Sequence, residues 1–150
     1  MNEFALCALA GLAVSATFAL LAWQWSLRLH DTSVIDPFWP FLIAGAGLAY
    51  ALCLPSRGAR GAVVLALAWA WALRLGIHLA RRRRGHGEDR RYQAIRARNE
   101  PGFAFKSLYL VFGLQAVLAW WVSAPVGVAW ASTSQLYALD AAGAGLGLFV

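Results

Sequence analysis

Apolar residues in this chain come in long, nearly unbroken runs. Neither the two-residue alternation of a half-buried strand nor the one-sided stripe of a surface helix is present. Residues 4–25, 38–54, 61–79 and 107–122 carry almost no charge. A helix rising 1.5 Å per residue needs about 20 such residues to cross a hydrocarbon layer about 30 Å thick. Backbone in lipid must satisfy its own hydrogen bonds, which leaves helices or closed barrels, and without period-two alternation helices are expected. The pattern predicts an all-α, polytopic transmembrane helix bundle in a single domain, with four full spans and an incomplete fifth over residues 136–150. Only ten residues follow Asp140, enough helix for about 15 Å, or half a membrane. The chain is therefore expected to be the N-terminal part of a longer protein, or a truncated gene product.

Local signals set the boundaries. Asp36-Pro37 reads as a helix opening, with the Asp36 carboxylate as cap and proline in the first turn. Pro55-Ser56-Arg57-Gly58 reads as a turn. The third span is expected to continue as helix through Arg84, until Gly85 and Gly87 break it, and the fourth to stop near Pro125.

Charge then fixes an orientation. Arg81, Arg82, Arg83, Arg84, Arg90, Arg91, Arg96, Arg98 and Lys106, nine of thirteen Lys and Arg residues, lie in the one segment 81–106. Positive segments resist translocation, so this loop is expected in the cytoplasm and the N-terminus outside. Arg57 and Arg60 then sit on the unfavoured side, two charges against nine. A basic block tethered beside apolar spans has anionic lipid headgroups as its nearest partner, so the net charge of +6 does not point to nucleic acid. With 61% hydrophobic residues the chain is too apolar for a soluble globule. Eight tryptophans suit the lipid–water interface. Abundant arginine and alanine with a single lysine suggest a GC-rich bacterial gene and hence the inner membrane.

Candidate chemistry clusters around the basic segment. Trp71, Arg74 and His78 are three and four residues apart, so they share a helix face that continues to Arg81 and Arg82. Arg74 either snorkels toward the headgroups or faces the bundle interior as a cation for phosphate or carboxylate. The loop itself mixes Glu88, Asp89, His86 and Tyr92 among its arginines, more than a topological anchor requires. A helix starting near Glu88 would bring Glu88 and Asp89 to Tyr92, with its acidic first turn matched to the helix dipole. Its arginines could grip phosphates in bidentate fashion. Gln115, inside a span, must find a partner and is read first as helix–helix glue. Gly143 and Gly147 form a weak GxxxG pattern. Cys7 and Cys53 are two small buried hydrophobes or, at a common outer face, a disulfide pair. The three histidines lack metal-ligand spacing, and no metal is proposed.

Taken in order, Asp36-Pro37-Phe38-Trp39, Trp71-Ala72-Leu73-Arg74-Leu75 with His78, Gly87-Glu88-Asp89-Arg90-Arg91-Tyr92, Gln115 and Ser123-Ala124-Pro125 resemble the bacterial branch of the steroid 5-alpha-reductase-like membrane proteins. The match covers about residues 36–125. The resemblance implies a reductase using NADPH to deliver hydride to an activated double bond in a lipid-like or steroid-like molecule. It implies that Arg74, His78, Arg84, Glu88, Asp89, Arg91 and Tyr92 contact or orient the cofactor, and that Asp36, Trp39 and Gln115 line the substrate cavity. It assigns no catalytic residue. That family's later motifs, an acidic, glutamine-containing span and an Arg-His-Pro-Asn-Tyr-like stretch, have no counterpart in this sequence. Two alternatives stand beside it: a non-catalytic membrane module holding anionic lipid or a partner through the basic loop, and a relative of the membrane methyltransferases that bind S-adenosylmethionine.

Overall fold

A computed structural model of the chain describes residues 3–55, 58–133, 136, 137, 140, 143 and 145. Among these, all regular structure is helical. Helix α1 spans Glu3–Leu29, α2 Ile35–Cys53, α3 Ala59–Arg83, α4 Arg90–Asn99, α5 Phe103–Ser107 and α6 Leu114–Ala131. A π-helical stretch, Leu108–Gly113, joins α5 to α6 in one rod. Four rods are long and apolar enough to cross a membrane: Glu3–Leu29, Thr32–Cys53, Ala59–Arg83 and Phe103–Ala131. The expected all-α polytopic bundle is the observed one. The segment expected as a fifth span falls largely outside the described residues.

Helix α2 is the hub, packed against α1, α3 and α6, and α6 closes the bundle against α1 and α3. Small residues let these rods approach, as packing in lipid requires. A Cβ on Gly61 of α3 would lie 2.6 Å from the Trp130 Cα of α6, and one on Gly76 would collide with the Phe41 ring of α2. Two pairs of polar groups meet inside the bundle: Ser15 Oγ donates to the Leu42 carbonyl at 3.1 Å, and Tyr50 Oη lies 3.1 Å from Ser123 Oγ. Three indoles tie one rod to another, with Trp23, Trp120 and Trp130 donating to the carbonyls of Ala104, Ala8 and Leu54 at 3.0, 2.8 and 3.0 Å. Those tryptophans therefore act as cross-links, a role that composition alone does not reveal.

Two expected boundaries move. The fourth span starts at Phe103 and runs through Pro125 to Ala131. Proline removes one backbone donor, but Val126 and Gly127 beyond it are buried against Gly47 and Tyr50 of α2, and that packing outweighs the missing bond. The π-helical stretch widens one turn and lets both Val111 and Phe112 face the core.

Asp36 is the second correction. The backbone opens instead with a 3-10 turn, Thr32–Val34, capped by Asp31, whose Oδ1 accepts from the Ser33 N–H at 2.8 Å. Asp36 lies inside the first turn of α2, and the cap position Val34 has no side-chain bond. Relieved of capping, the Asp36 carboxylate is available to bridge to another element. At the opposite end of the bundle Arg60 pairs with Asp140 at 2.8 Å, so one of the two charges that opposed the expected orientation is neutralised. Cys7 and Cys53 are free thiols, the first buried and the second exposed.

Candidate functional site: an arginine-lined cleft beside an apolar groove

The basic segment folds back over the corner between α1 and α2 and is fastened there by several links. Arg83, at the end of α3, donates to Asp31 Oδ2 from Nη2 at 2.7 Å and Nε at 3.2 Å. The Thr32 N–H donates to Glu88 Oε1 at 2.8 Å. The Asp89 N–H donates to Ser33 Oγ at 2.7 Å. Tyr92 Oη donates to Asp36 Oδ1 at 2.6 Å. The 3-10 turn, with its backbone and hydroxyl turned toward the loop, is what makes this corner a receptor for it.

Inside the segment, α4 begins at Arg90 with Asp89 as its cap, accepting from the Arg91 N–H at 2.9 Å. The helix therefore starts two residues later than expected, Glu88 stays outside it, and Tyr92 pairs with Asp36 rather than Glu88 or Asp89. Glu88 faces Arg96 in a fork-to-fork pair, Oε1–Nη2 at 2.8 Å and Oε2–Nε at 3.0 Å, the strong geometry for guanidinium and carboxylate. The Arg96 guanidinium also stacks over Phe103 at 4.7 Å. Arg91 reaches from Asp89 to Asp36, 3.1 Å from each.

These contacts set the charge states. Burial pushes the Glu88 carboxyl up, but hydrogen bonds from Arg96 and Thr32 outweigh it and the net shift is downward. The Arg91 side chain and N–H hold Asp89 below its ordinary range. Burial, then the hydrogen bond to Asp36, push the Tyr92 phenol far above its ordinary value of 10, so it keeps its proton and its bond to Asp36 throughout the physiological range. For a carboxylate with a depressed folded pKa the stability contribution is complete above the unfolded value and is lost as pH falls through the folded one. For Glu88 the ordinary value is 4.5. Protease cleavage of the segment is thus expected to be flat from neutral pH down to that region and to rise steeply below it. A rise beginning near neutral pH would contradict the Glu88–Arg96 latch.

Beside the latch lies a cleft of about 740 Å³, with Asp36, Arg82, Arg83, His86, Arg90 and Arg91 among its walls. Every carboxylate facing it is held by an arginine: Asp36 and Asp89 by Arg91, Glu88 by Arg96. Arg82 and Arg90 are exposed and make no side-chain hydrogen bond or ion pair among the described residues, although Arg82 lies close enough to Asp89 to favour its charged form. The net field is that of an anion receptor, and the size is that of a small-molecule site. A second space of about 690 Å³ adjoins it between α1, α2 and α3, walled by Phe18, Trp25, Phe38, Phe41 and Ile77. The two share Pro37, Arg83 and His86.

Of the residues picked out from the sequence, the fold gathers Asp36, Glu88, Asp89, Arg91 and Tyr92 in one network, and Arg84 borders the apolar groove. Arg74 and His78 are exposed on α3, on the side opposite the buried Ala72 and Gly76, away from both spaces. Trp39 packs against the core with its indole N–H buried and lacking an acceptor among the described residues. Gln115 is half-buried without a hydrogen-bond partner among the described residues, so nothing there shows it acting as glue. Sequence reasoning missed Asp31, Thr32, Ser33 and Arg96. The Asp31-Thr32-Ser33 run carries a capping signal, whereas Glu88 and Arg96 are eight apart across a helix start, beyond any local pairing rule.

Four apolar rods carrying a polar, arginine-lined cleft at one end define a polytopic helical membrane protein with a candidate small-molecule site. A family model described as "Protein of unknown function (DUF1295)" matches residues 22–150, and the chain belongs to that family. No curated protein and no solved structure matches it.

Proposed function

We propose that this chain is the cofactor-receiving bundle of a membrane reductase that uses NADPH to reduce a double bond in a lipid-like molecule, with its arginine cleft in the cytoplasm. The observation that carries the reading is the adjacency of the two spaces: an anion-receiving polar cleft and an apolar groove that share Pro37, Arg83 and His86. A hydride reduction of a lipid needs a polyanionic cofactor and an apolar acceptor brought to a common boundary. The family's place in the steroid 5-alpha-reductase-like superfamily supports the same chemistry.

The residues present fit the cofactor. Arg82 and Arg90, which make no ion pair among the described residues, are the cations for its phosphates, and Arg91 is held at the rim by Asp36 and Asp89. Tyr92 and Glu88 act on the cleft through the latch; Tyr92 is buried and positions the segment rather than touching a ligand. Bound there, NADPH would supply the hydride, and the apolar groove would keep water from the acceptor. S-adenosylmethionine fits less well, because its sulfonium calls for a free carboxylate and those at the cleft are already paired. Arg81 and Arg98, exposed on the segment, would rest on anionic headgroups.

The experiment is a titration of the purified membrane protein with NADPH, NADH and S-adenosylmethionine. NADPH is expected to bind most tightly. Arg82→Gln with Arg90→Gln should weaken it by about 100-fold or more, two charge-assisted contacts at about 1.5 kcal/mol each. Unchanged NADPH affinity in the double variant, or preference for S-adenosylmethionine, would overturn the proposal.

A further inference from the structure

The apolar groove has one polar end, and that end holds a cation, Arg84, that meets no carboxylate among the described residues. Its walls are aromatic and aliphatic, and among the described residues the charged or titratable groups along it are Arg83, Arg84 and His86. Arg83 is engaged by Asp31 at 2.7 Å. The Arg84 guanidinium is exposed and meets no carboxylate among the described residues, while its carbonyl lies 3.2 Å from His86 Nδ1. Gly85 follows with φ at 78°, a left-handed turn that suits glycine and swings the chain away beyond Arg84. Trp25 and Ile77, on opposite walls, are 54% and 47% exposed, so the groove opens sideways along the apolar surface of the bundle. A ligand would enter from the bilayer with its chain first along the walls and its head at Arg84.

We infer that the groove takes a single-chain amphiphile with an anionic head, a long-chain carboxylate, gripped by Arg84. Charge complementarity selects it: one free guanidinium matches one carboxylate, fork to fork, whereas a neutral sterol or alcohol leaves the cation unanswered. As a statement about substrate this rests on the reductase reading and names the class of its lipid-like acceptor; as a statement about binding it stands alone.

The test uses the full chain in phosphatidylcholine nanodiscs without nicotinamide, so that its failure is separate from failure of NADPH binding. A photoreactive diazirine palmitate is cross-linked and its sites are mapped by mass spectrometry, with palmitate, hexadecanol and phosphatidylglycerol as competitors. Labelling is expected at Phe18, Phe41 and Ile77, and palmitate should compete at least about tenfold better than hexadecanol. Arg84→Gln should cost palmitate about tenfold and leave hexadecanol unmoved, the loss of one charge-assisted contact. Three results would overturn the inference. These are equal competition by hexadecanol, strongest competition by phosphatidylglycerol, and labels spread over lipid-facing residues such as Leu114 and Trp121.

Discussion

Replacing Glu88 with alanine is expected to destabilise the folded protein by about 2 to 3 kcal/mol, because it takes the acceptor from donors on two residues at once. The Glu88 side chain is 10% exposed and that of Arg96 32%, so the pair is screened from water but not sealed from it, which places the cost below that of a fully buried pair. Arg96 loses both arms of its fork, and the Thr32 N–H loses its acceptor. The 3-10 turn and the basic segment would then part, and trypsin should cut within 90–98 far faster than in the parent. Thermal unfolding in detergent reads the stability and limited proteolysis the release. Glu88→Gln is the informative companion: it can still accept from Thr32 but cannot neutralise Arg96, so it should fall between the two. An alanine variant as stable and as protease-resistant as the parent would dissolve the latch.

Gly61→Leu should cost about 3 kcal/mol by a different route, overpacking of a helix crossing. The position is buried in α3, and even a Cβ there approaches the Trp130 Cα of α6 to 2.6 Å. The obstacle is backbone, so no rotamer change relieves it, and α3 must slide off α6 and disturb the Trp130–Leu54 link. Gly87→Leu is the control, since no atom lies within 4 Å of a Cβ at that position, and it should leave the melting temperature unchanged. Equal behaviour of the two variants would mean that α3 and α6 do not cross at Gly61.

Much of this architecture was legible in the order of residues. Spans follow from the length of apolar runs, because the cost of exposing backbone in lipid leaves helices as the solution, and α3 ends at Arg83, within a residue of the expected end. The basic segment stood out by its mixture of charges, and the fold draws its Glu88, Asp89, Arg91 and Tyr92 into contact with the start of α2 and the turn before it. What was not legible is its partner. Asp36 looked like a helix cap because local spacing permits it, but the preceding 3-10 turn moves the cap to Asp31 and turns Asp36 toward Tyr92. Contacts 52 to 56 residues apart, such as Arg83 with Asp31 and Tyr92 with Asp36, depend on the bundle bringing the ends of α1, α2 and α3 together, and no local rule encodes that. Trp71, Arg74 and His78 are close in helical register, but the structure separates them: Trp71 packs against the core while Arg74 and His78 are exposed. Ala72 and Gly76 supply the inward surface through their small size, and Arg74 and His78 are turned out.

The central claim is that the arginine-lined cleft lies on the side of the membrane where NADPH is found. Gly87 stands at the exposed tip of the latched segment, where a side chain meets nothing, so Gly87→Cys, with Cys7→Ser and Cys53→Ser to remove the natural thiols, places a single reactive group there. A membrane-impermeant maleimide is predicted to leave intact bacterial cells unlabelled and to label fully once the inner membrane is opened. Labelling of intact spheroplasts at the same rate as opened ones would put the cleft outside and contradict the assignment of a nicotinamide cofactor to it.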